Sequence, residues 1–463
     1  LNKSEKFAAA ALLALLLLGT PCLARPAAAA DCPAVDWLQE YLRLDTTNPP
    51  GQEHLGAAFL LRRLRHAGIQ AQLLVTPEGR TSLYARLSAA GSSKGNDGLL
   101  LLHHLDVVPP GPGWTHAPFS GQLADGAVWG RGAIDAKSLG IAHLCAFLAL
   151  QRLGEPLRRD VVFLATADEE SGGQRGTQWL WQQHPDLFEG IGSVLNEGGV
   201  NRMVGDRLLW WGIEVDQKRP LWLRITASGR AGHASALNVH TASHRLIRAL
   251  DALLEMPARY HVAAGPKLYL EALAPLHSGR LASRFRRLDE VVREDGFAEP
   301  LMPGMETLFL DTVQITVLEA GDRINVVAGD ASAQVDVRLL PDTDSEEFLA
   351  RVRQAVGKHA TVEVLLSAPP GTPSSTQTPL FRLMVQHLEA EAPAVPAFIA
   401  GFTDSRYFRQ RGIAAYGLSP FRLTSAELQS IHAADERISA RELELGVDRV
   451  VRLVTAFAKG EDL

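Results

Sequence analysis

Residues Val161 to Ala165 form an unbroken apolar run, and Asp168-Glu169-Glu170 follow almost at once, ahead of a Ser171-Gly172-Gly173 turn. An apolar run with β-branched members and no polar alternation reads as a strand buried on both faces, which demands a sheet covered by helices on either side. Acids crowded at the end of such a strand repel one another unless a cation or a shared proton compensates them. A lone acidic turn is usually just solvated. Here the arrangement recurs.

Leu99 to Leu102 is a second apolar run, and it ends in His103-His104-Leu105-Asp106-Val107-Val108-Pro109. Open α/β sheets place their ligands outside the carboxyl ends of strands. Strand alternation puts His104 and Asp106 on one side and His103 on the other. Asp106 can then hold one imidazole nitrogen while the other binds a metal. In Gly130-Arg131-Gly132-Ala133-Ile134-Asp135-Ala136-Lys137, Asp135 stands where a helix begins, either as an N-cap or as a carboxylate shared between two metal ions. Asn196-Glu197-Gly198-Gly199 repeats the order of strand, acid and turn, and His432 precedes the last helix. Two histidines with several acids give the mixed nitrogen and oxygen character suited to zinc, in a number that suits two ions.

Helices alternate with strands up to about residue 216 and again after Pro341. Between them, 221–226, 311–318 and 331–339 alternate in the two-residue period of half-exposed strands, and 276–300 is basic and poorly patterned. The expected fold class is α/β. A mostly parallel catalytic sheet with helices on both faces, at 31–216 and 341–463, is interrupted at 217–340 by an α+β domain with an antiparallel sheet.

The net charge of -6 offers no basic field for nucleic acid or an anionic membrane. No Gly-x-Ser-x-Gly elbow supports a serine hydrolase. Residues 1–30 read as a secretory signal peptide: Lys3 and Lys6 precede the apolar stretch Ala8 to Leu18, with cleavage after Ala24 or Ala30. The expectation is export to the periplasm or the medium, with no membrane anchor. An oxidising compartment permits a Cys32–Cys145 bridge. The place of Cys145 within an apolar helix reads instead as a buried free thiol.

In chain order, His-x-Asp-Val-Val-Pro, Gly-Arg-Gly-Ala-x-Asp-x-Lys, Asp-Glu-Glu-Ser-Gly, Asn-Glu-Gly-Gly, Gly-His-Ala-Ser, Thr-Asp-Ser-Arg and His-Ala-Ala-Asp-Glu-Arg resemble the co-catalytic di-zinc metallopeptidases. That family includes aminoacylase, carboxypeptidase S, glutamate carboxypeptidase and succinyl-diaminopimelate desuccinylase, and the length of the insert is most similar to the carboxypeptidase S branch. The resemblance implies two zinc ions per chain, for which cobalt or manganese can substitute. His104 and Glu197 would bind one ion, Glu170 and His432 the other, and Asp135 would bridge them. Glu169 would be the general base and Asp106 would orient His104. The insert would act as lid and homodimer contact, with His233 reaching a partner subunit's active site. Asn325 and Arg406 would contact substrate, Arg406 through a carboxylate.

The chain departs from the family's pattern at Asn325-Val326-Val327-Ala328, at Phe402 and in lacking a Pro soon after Gly232-His233-Ala234-Ser235. The implied reaction is hydrolysis of an amide bond in a small peptide, carboxypeptidase or dipeptidase fashion, or in an N-acyl amino acid, aminoacylase fashion. A catalytically silent binding protein on the same fold is the alternative of another class.

Overall fold

A computed structural model describes residues 32–90, 95–294 and 304–461. The signal-peptide stretch therefore lies outside the described residues. The apolar runs behave as buried strands must. Leu99, Leu101, Val161 and Phe163 point into one core, whereas Leu100, Leu102, Val162 and Leu164 point into another on the opposite face. The first core is closed by the helices Ala34–Leu42, Glu53–His66, Lys137–Leu153 and Ala440–Ala458, and the second by Thr177–Gln183 and Ser405–Arg409.

Among the described residues the large sheet has nine strands. Its order is Ala71–Val75, Thr81–Leu87, Val161–Thr166, Gly98–His104, Ile191–Asn196, Ala414–Gly417, Arg207–Gln217 and Ala394–Ile399, with Arg202–Val204 beside Arg207–Gln217. The central pairs, Gly98–His104 with Val161–Thr166 and with Ile191–Asn196, are parallel, as the continuous apolar patterning requires. Their register sets His104 opposite Thr166, so the polar residues after both strands emerge at one edge. Arg207–Gln217 carries no clean strand signal, because Glu214 sits in its middle. That carboxylate is fully buried and gripped by Arg409 at 2.6 and 2.7 Å, a pairing that only the fold supplies.

A separate antiparallel sheet runs Thr312–Glu319, Asp330–Leu339, Arg219–Ser228 and Thr361–Ser367. The helices Ala242–Leu254 and Ser345–Val356 cover one face of it. Two features differ from the expected 217–340 insert. The sheet continues past residue 340, since Thr361–Ser367 pairs with Arg219–Ser228. The poorly patterned stretch folds into short helices within 264–291, and Leu270, Phe285 and Leu288 pack on Trp210, Ala397 and Phe398 of the large sheet. Too short to show a clear period, those helices belong by packing to the catalytic unit.

Cys32 is bonded to Cys145, with Cα atoms 5.8 Å apart across 113 residues of sequence, so the free-thiol reading is overturned. Tertiary packing of Ala34–Leu42 against Lys137–Leu153 brings them together. Closing a loop of that length restricts the unfolded chain. Replacing both cysteines with alanine is expected to cost about 2–4 kcal/mol, read from urea unfolding without reductant.

His143 lies in the same helix, fully buried, and burial pushes its imidazole down to about 3. The unfolded chain takes up that proton near pH 6.5, so stability falls as pH drops from about 6.5 toward 3. In His143→Leu the acid limb of the stability profile should flatten relative to wild type by several kcal/mol, on the order of 1.4 per pH unit. Parallel profiles would contradict this.

Candidate metal centre

The centre assembles where the central strands end. His104 is the last residue of its strand, Glu197 follows Ile191–Asn196 directly, and Asp135 closes the Gly130–Asp135 loop two residues before the helix Lys137–Leu153. Nε2 of His104 lies 2.8 Å from Oδ1 of Asp135 and 3.3 Å from Glu197. Nε2 of His432 lies 3.1 Å from Oδ2 of Asp135 and 3.4 Å from Glu170. His104, Asp135 and Glu197 thus form one group, Asp135, Glu170 and His432 a second, and Asp135 belongs to both. The Asp135 side chain makes no helix-capping bond. Left-handed backbone at Asp168 (φ 69°) and His432 (φ 61°) helps aim the turns that carry Glu169, Glu170 and the second imidazole.

The residue type at each position is answered by its surroundings. Asp168 turns away from the centre, and its carboxylate takes Arg80 at 2.8 Å while Arg80 also grips Glu53. Asp106 corrects the sequence reading in part. Nδ1 of His104 pairs with the Asp106 backbone carbonyl at 2.8 Å, whereas the nearest Asp106 carboxylate oxygen is 3.8 Å away. That carboxylate instead accepts from Asn48 (2.8 Å) and from the amides of Glu169 and Glu170 (3.2 Å each), so it holds the acidic turn rather than the ring. A strand end can present its backbone oxygen to the ring as readily as its side chain, and sequence alternation does not distinguish them.

Glu436 was not singled out from the sequence, yet it organises the loop bearing Asp135. It is fully buried, accepts from the amides of Gly132, Ile134 and Asp135 at 2.8–3.0 Å, and pairs with Arg131 at 2.7 Å. The signal available in the sequence was an unassigned acid four residues after His432 and an arginine between two glycines.

Electrostatically the centre is short of positive charge. Burial, joined by Glu197, lifts Glu169 well above the usual carboxylate range, and burial raises Glu197 to about 7. Burial opposes ionisation of Asp135, but hydrogen bonds from His104 and His432 hold it well below the ordinary value. His432 is raised to about 10 by Asp135 and then Glu170. Four carboxylates face two imidazoles, and Oε1 of Glu169 and Oε1 of Glu170 are buried without a hydrogen-bond partner. Each group of three offers one imidazole nitrogen and two carboxylate oxygens, all within 4.8 Å of one another, which is the donor chemistry of a divalent cation.

A cavity of about 280 Å³ opens on Asp135, Glu197 and His432. Its wall is largely apolar, including Leu139, Phe421, Leu428 and Ile431, and Arg338 of the antiparallel sheet also lines it. Arg338 was missed in the sequence because it reads there as one polar position of an alternating strand. The three proposed substrate contacts fall elsewhere. His233, on the short exposed strand Gly232–His233, and Asn325, just before its partner strand Val326–Val327, lie close together, with the Ala234 amide donating to the Asn325 carbonyl at 3.2 Å, and neither lines the cavity. Arg406 does not line it either. Its guanidinium is buried between the rings of Phe402 and Tyr407.

The model of peptidase family M20/M25/M40 matches residues 100–456. Aminoacylase-1 of Sus scrofa is 29% identical over 442 residues, covering 92% of this chain and 95% of the relative. A metallo-carboxypeptidase of Sulfolobus solfataricus superposes with a TM-score of 0.70 at 19% identity, covering 92% of this chain and 99% of that one. Human carnosine dipeptidase 1 superposes with a TM-score of 0.67 at 15% identity, covering 92% and 97%.

Supporting bonds around a ligand tune its affinity for metal. Glu436→Gln, which sets an amide among backbone donors, should weaken metal binding about ten- to hundred-fold in competition with a chelator. Unchanged affinity would remove Glu436 from the supporting role.

Proposed function

The chain belongs to peptidase family M20/M25/M40 and is an amide-bond hydrolase, and on that premise we propose that it deacylates N-acyl amino acids carrying a free carboxylate. One observation carries the substrate class. Asp135 and Glu197, both in the metal-ligating groups, are the acids lining the cavity, so nothing there answers the free ammonium of a dipeptide, whereas the apolar wall suits an acyl chain. Arg338 spends Nε and Nη2 on Asp336 and has no partner for Nη1 among the described residues, which leaves a charged donor for the substrate carboxylate.

His104, Asp135 and Glu197 would hold one divalent cation, and Asp135, Glu170 and His432 the second, with zinc the ion best matched to one imidazole and two carboxylates each. Ions held there polarise an amide carbonyl and acidify water. Glu169 is buried beside the ligands and carries an unpartnered oxygen. It takes the proton of the attacking water and returns it to the leaving amine nitrogen. Arg338 fixes the amino-acid end, and the apolar wall excludes competing water around the acyl end.

Exposed His233 and Asn325 lie beside exposed Ile324 and Val326, which supports their service in the cleft of a second copy of this chain. The Cys32–Cys145 bond supports export to an oxidising compartment.

Hydrolysis of N-acyl amino acids, but not of their carboxamide analogues or of dipeptides, is the result expected from a substrate panel, and chelation should abolish it. Glu169→Gln should keep its metal and lose about a hundred- to ten-thousand-fold in kcat. Arg338→Ala should raise KM roughly ten- to hundred-fold for the free acid. Preference for dipeptides would reverse the substrate assignment.

A further inference from the structure

Arg406 is only 5% exposed, yet it grips no carboxylate. Its Nη2 donates to the Gly172 carbonyl and to the Tyr407 hydroxyl at 3.0 Å, and Nη1 is buried with no partner. Arg80, Arg131 and Arg409 are as deeply buried, and each holds an acid directly. Asp404 senses the Arg406 charge but spends one carboxylate oxygen on the hydroxyls of Thr166 and Thr177. A buried charge left in this condition is costly unless something pairs with it.

What lies beside it is a second cavity, of about 180 Å³, that does not share residues with the substrate cleft. Arg406 and Tyr407 line its inner part. Arg411 and four glutamines, Gln174, Gln178, Gln182 and Gln410, line the rest, and no acid lines it. Arg411 is held over the Trp181 ring at 4.6 Å and donates from Nη1 to the Tyr407 carbonyl at 2.8 Å, so its position is fixed. The remaining wall is the end of Thr361–Ser367 with Ala368 and Pro369, the segment by which the chain returns from the small sheet.

We propose that this cavity is a separate binding site for a compact oxyanion, a carboxylate or a phosphate, held between Arg406 and Arg411 with glutamine amides completing its hydrogen bonds. Two guanidinium groups, amide donors and no competing acid are the chemistry that recognises such an anion. The site also touches the catalytic turn. The Gly172 carbonyl accepts from both Arg406 and Tyr407, and the Gly172 amide donates to the Glu169 carbonyl at 2.8 Å. An anion seated between the Arg406 and Arg411 guanidinium groups therefore braces the turn that carries Glu169 and Glu170 against the strand returning from the small sheet. This inference is independent of the substrate assigned above.

The test is calorimetric titration of the metal-loaded full chain with inorganic phosphate and, separately, with acetate. Arg411→Gln and Gln178→Leu are compared with wild type, since neither touches a metal ligand or the cleft and both spare buried Arg406. The expected result is a binding event weakened about ten-fold or more in both variants, with metal content and anion-free hydrolysis unchanged. Phosphate alone giving that event identifies an inorganic or ester phosphate ligand, and acetate giving it identifies a carboxylate such as an amino acid. Binding that persists undiminished in both variants is binding at the metal ligands and overturns the proposal, as does the absence of any event with either anion.

Discussion

Carboxylates gathered out of water at the ends of buried strands are the constraint to which the rest of this molecule answers. Each ion removed from solvent costs several kcal/mol, on the order of magnitude found for buried ions in general. The fold compensates three of them with its own groups. Asp168 takes Arg80, Asp106 takes two backbone amides and Asn48, and Glu436 takes three amides and Arg131. Asp135, Glu169, Glu170 and Glu197 are left with two imidazoles among them. The deficit is local and directional, and it is where divalent cations fit.

That arrangement ties together parts of the chain far apart in sequence. Glu436 holds the Asp135 loop across about three hundred residues, and the pairing of Arg409 with Glu214 locks the returning C-terminal part to the strand Arg207–Gln217. The antiparallel sheet contributes Arg338 to the cleft from outside the large sheet. Arg338 and the metal-ligating groups thus come from different units. The cross-link from Cys32 ties the first helix to the one that follows Asp135.

Much of this was legible in the chain itself. The apolar runs at 99–102 and 161–165 declared strands buried on both faces, and their polar terminations marked the edge where the site forms. His104, Asp135, Glu170, Glu197 and His432 converge as the ordered motifs implied. The strand Arg207–Gln217 was illegible because its buried Glu214 imitates a surface position. The short helices within 264–291 were illegible because none is long enough to display a period. Arg406 was singled out in the sequence and Arg338 was not, yet it is Arg338 that lines the cleft, and Arg406 lines a different cavity.

Local apolar periodicity and residue chemistry, which are properties of neighbours along the chain, by themselves determined the α/β class, the elements that end at the site and the residues able to bind metal. Which oxygen of Asp106 meets the His104 ring, which acid supports the Asp135 loop, which cysteine finds its partner and which arginine reaches the cleft were settled only by the tertiary structure. Hydrogen bonds and ion pairs depend on distances of about 3 Å between groups hundreds of residues apart, and no pattern along the chain encodes such a distance.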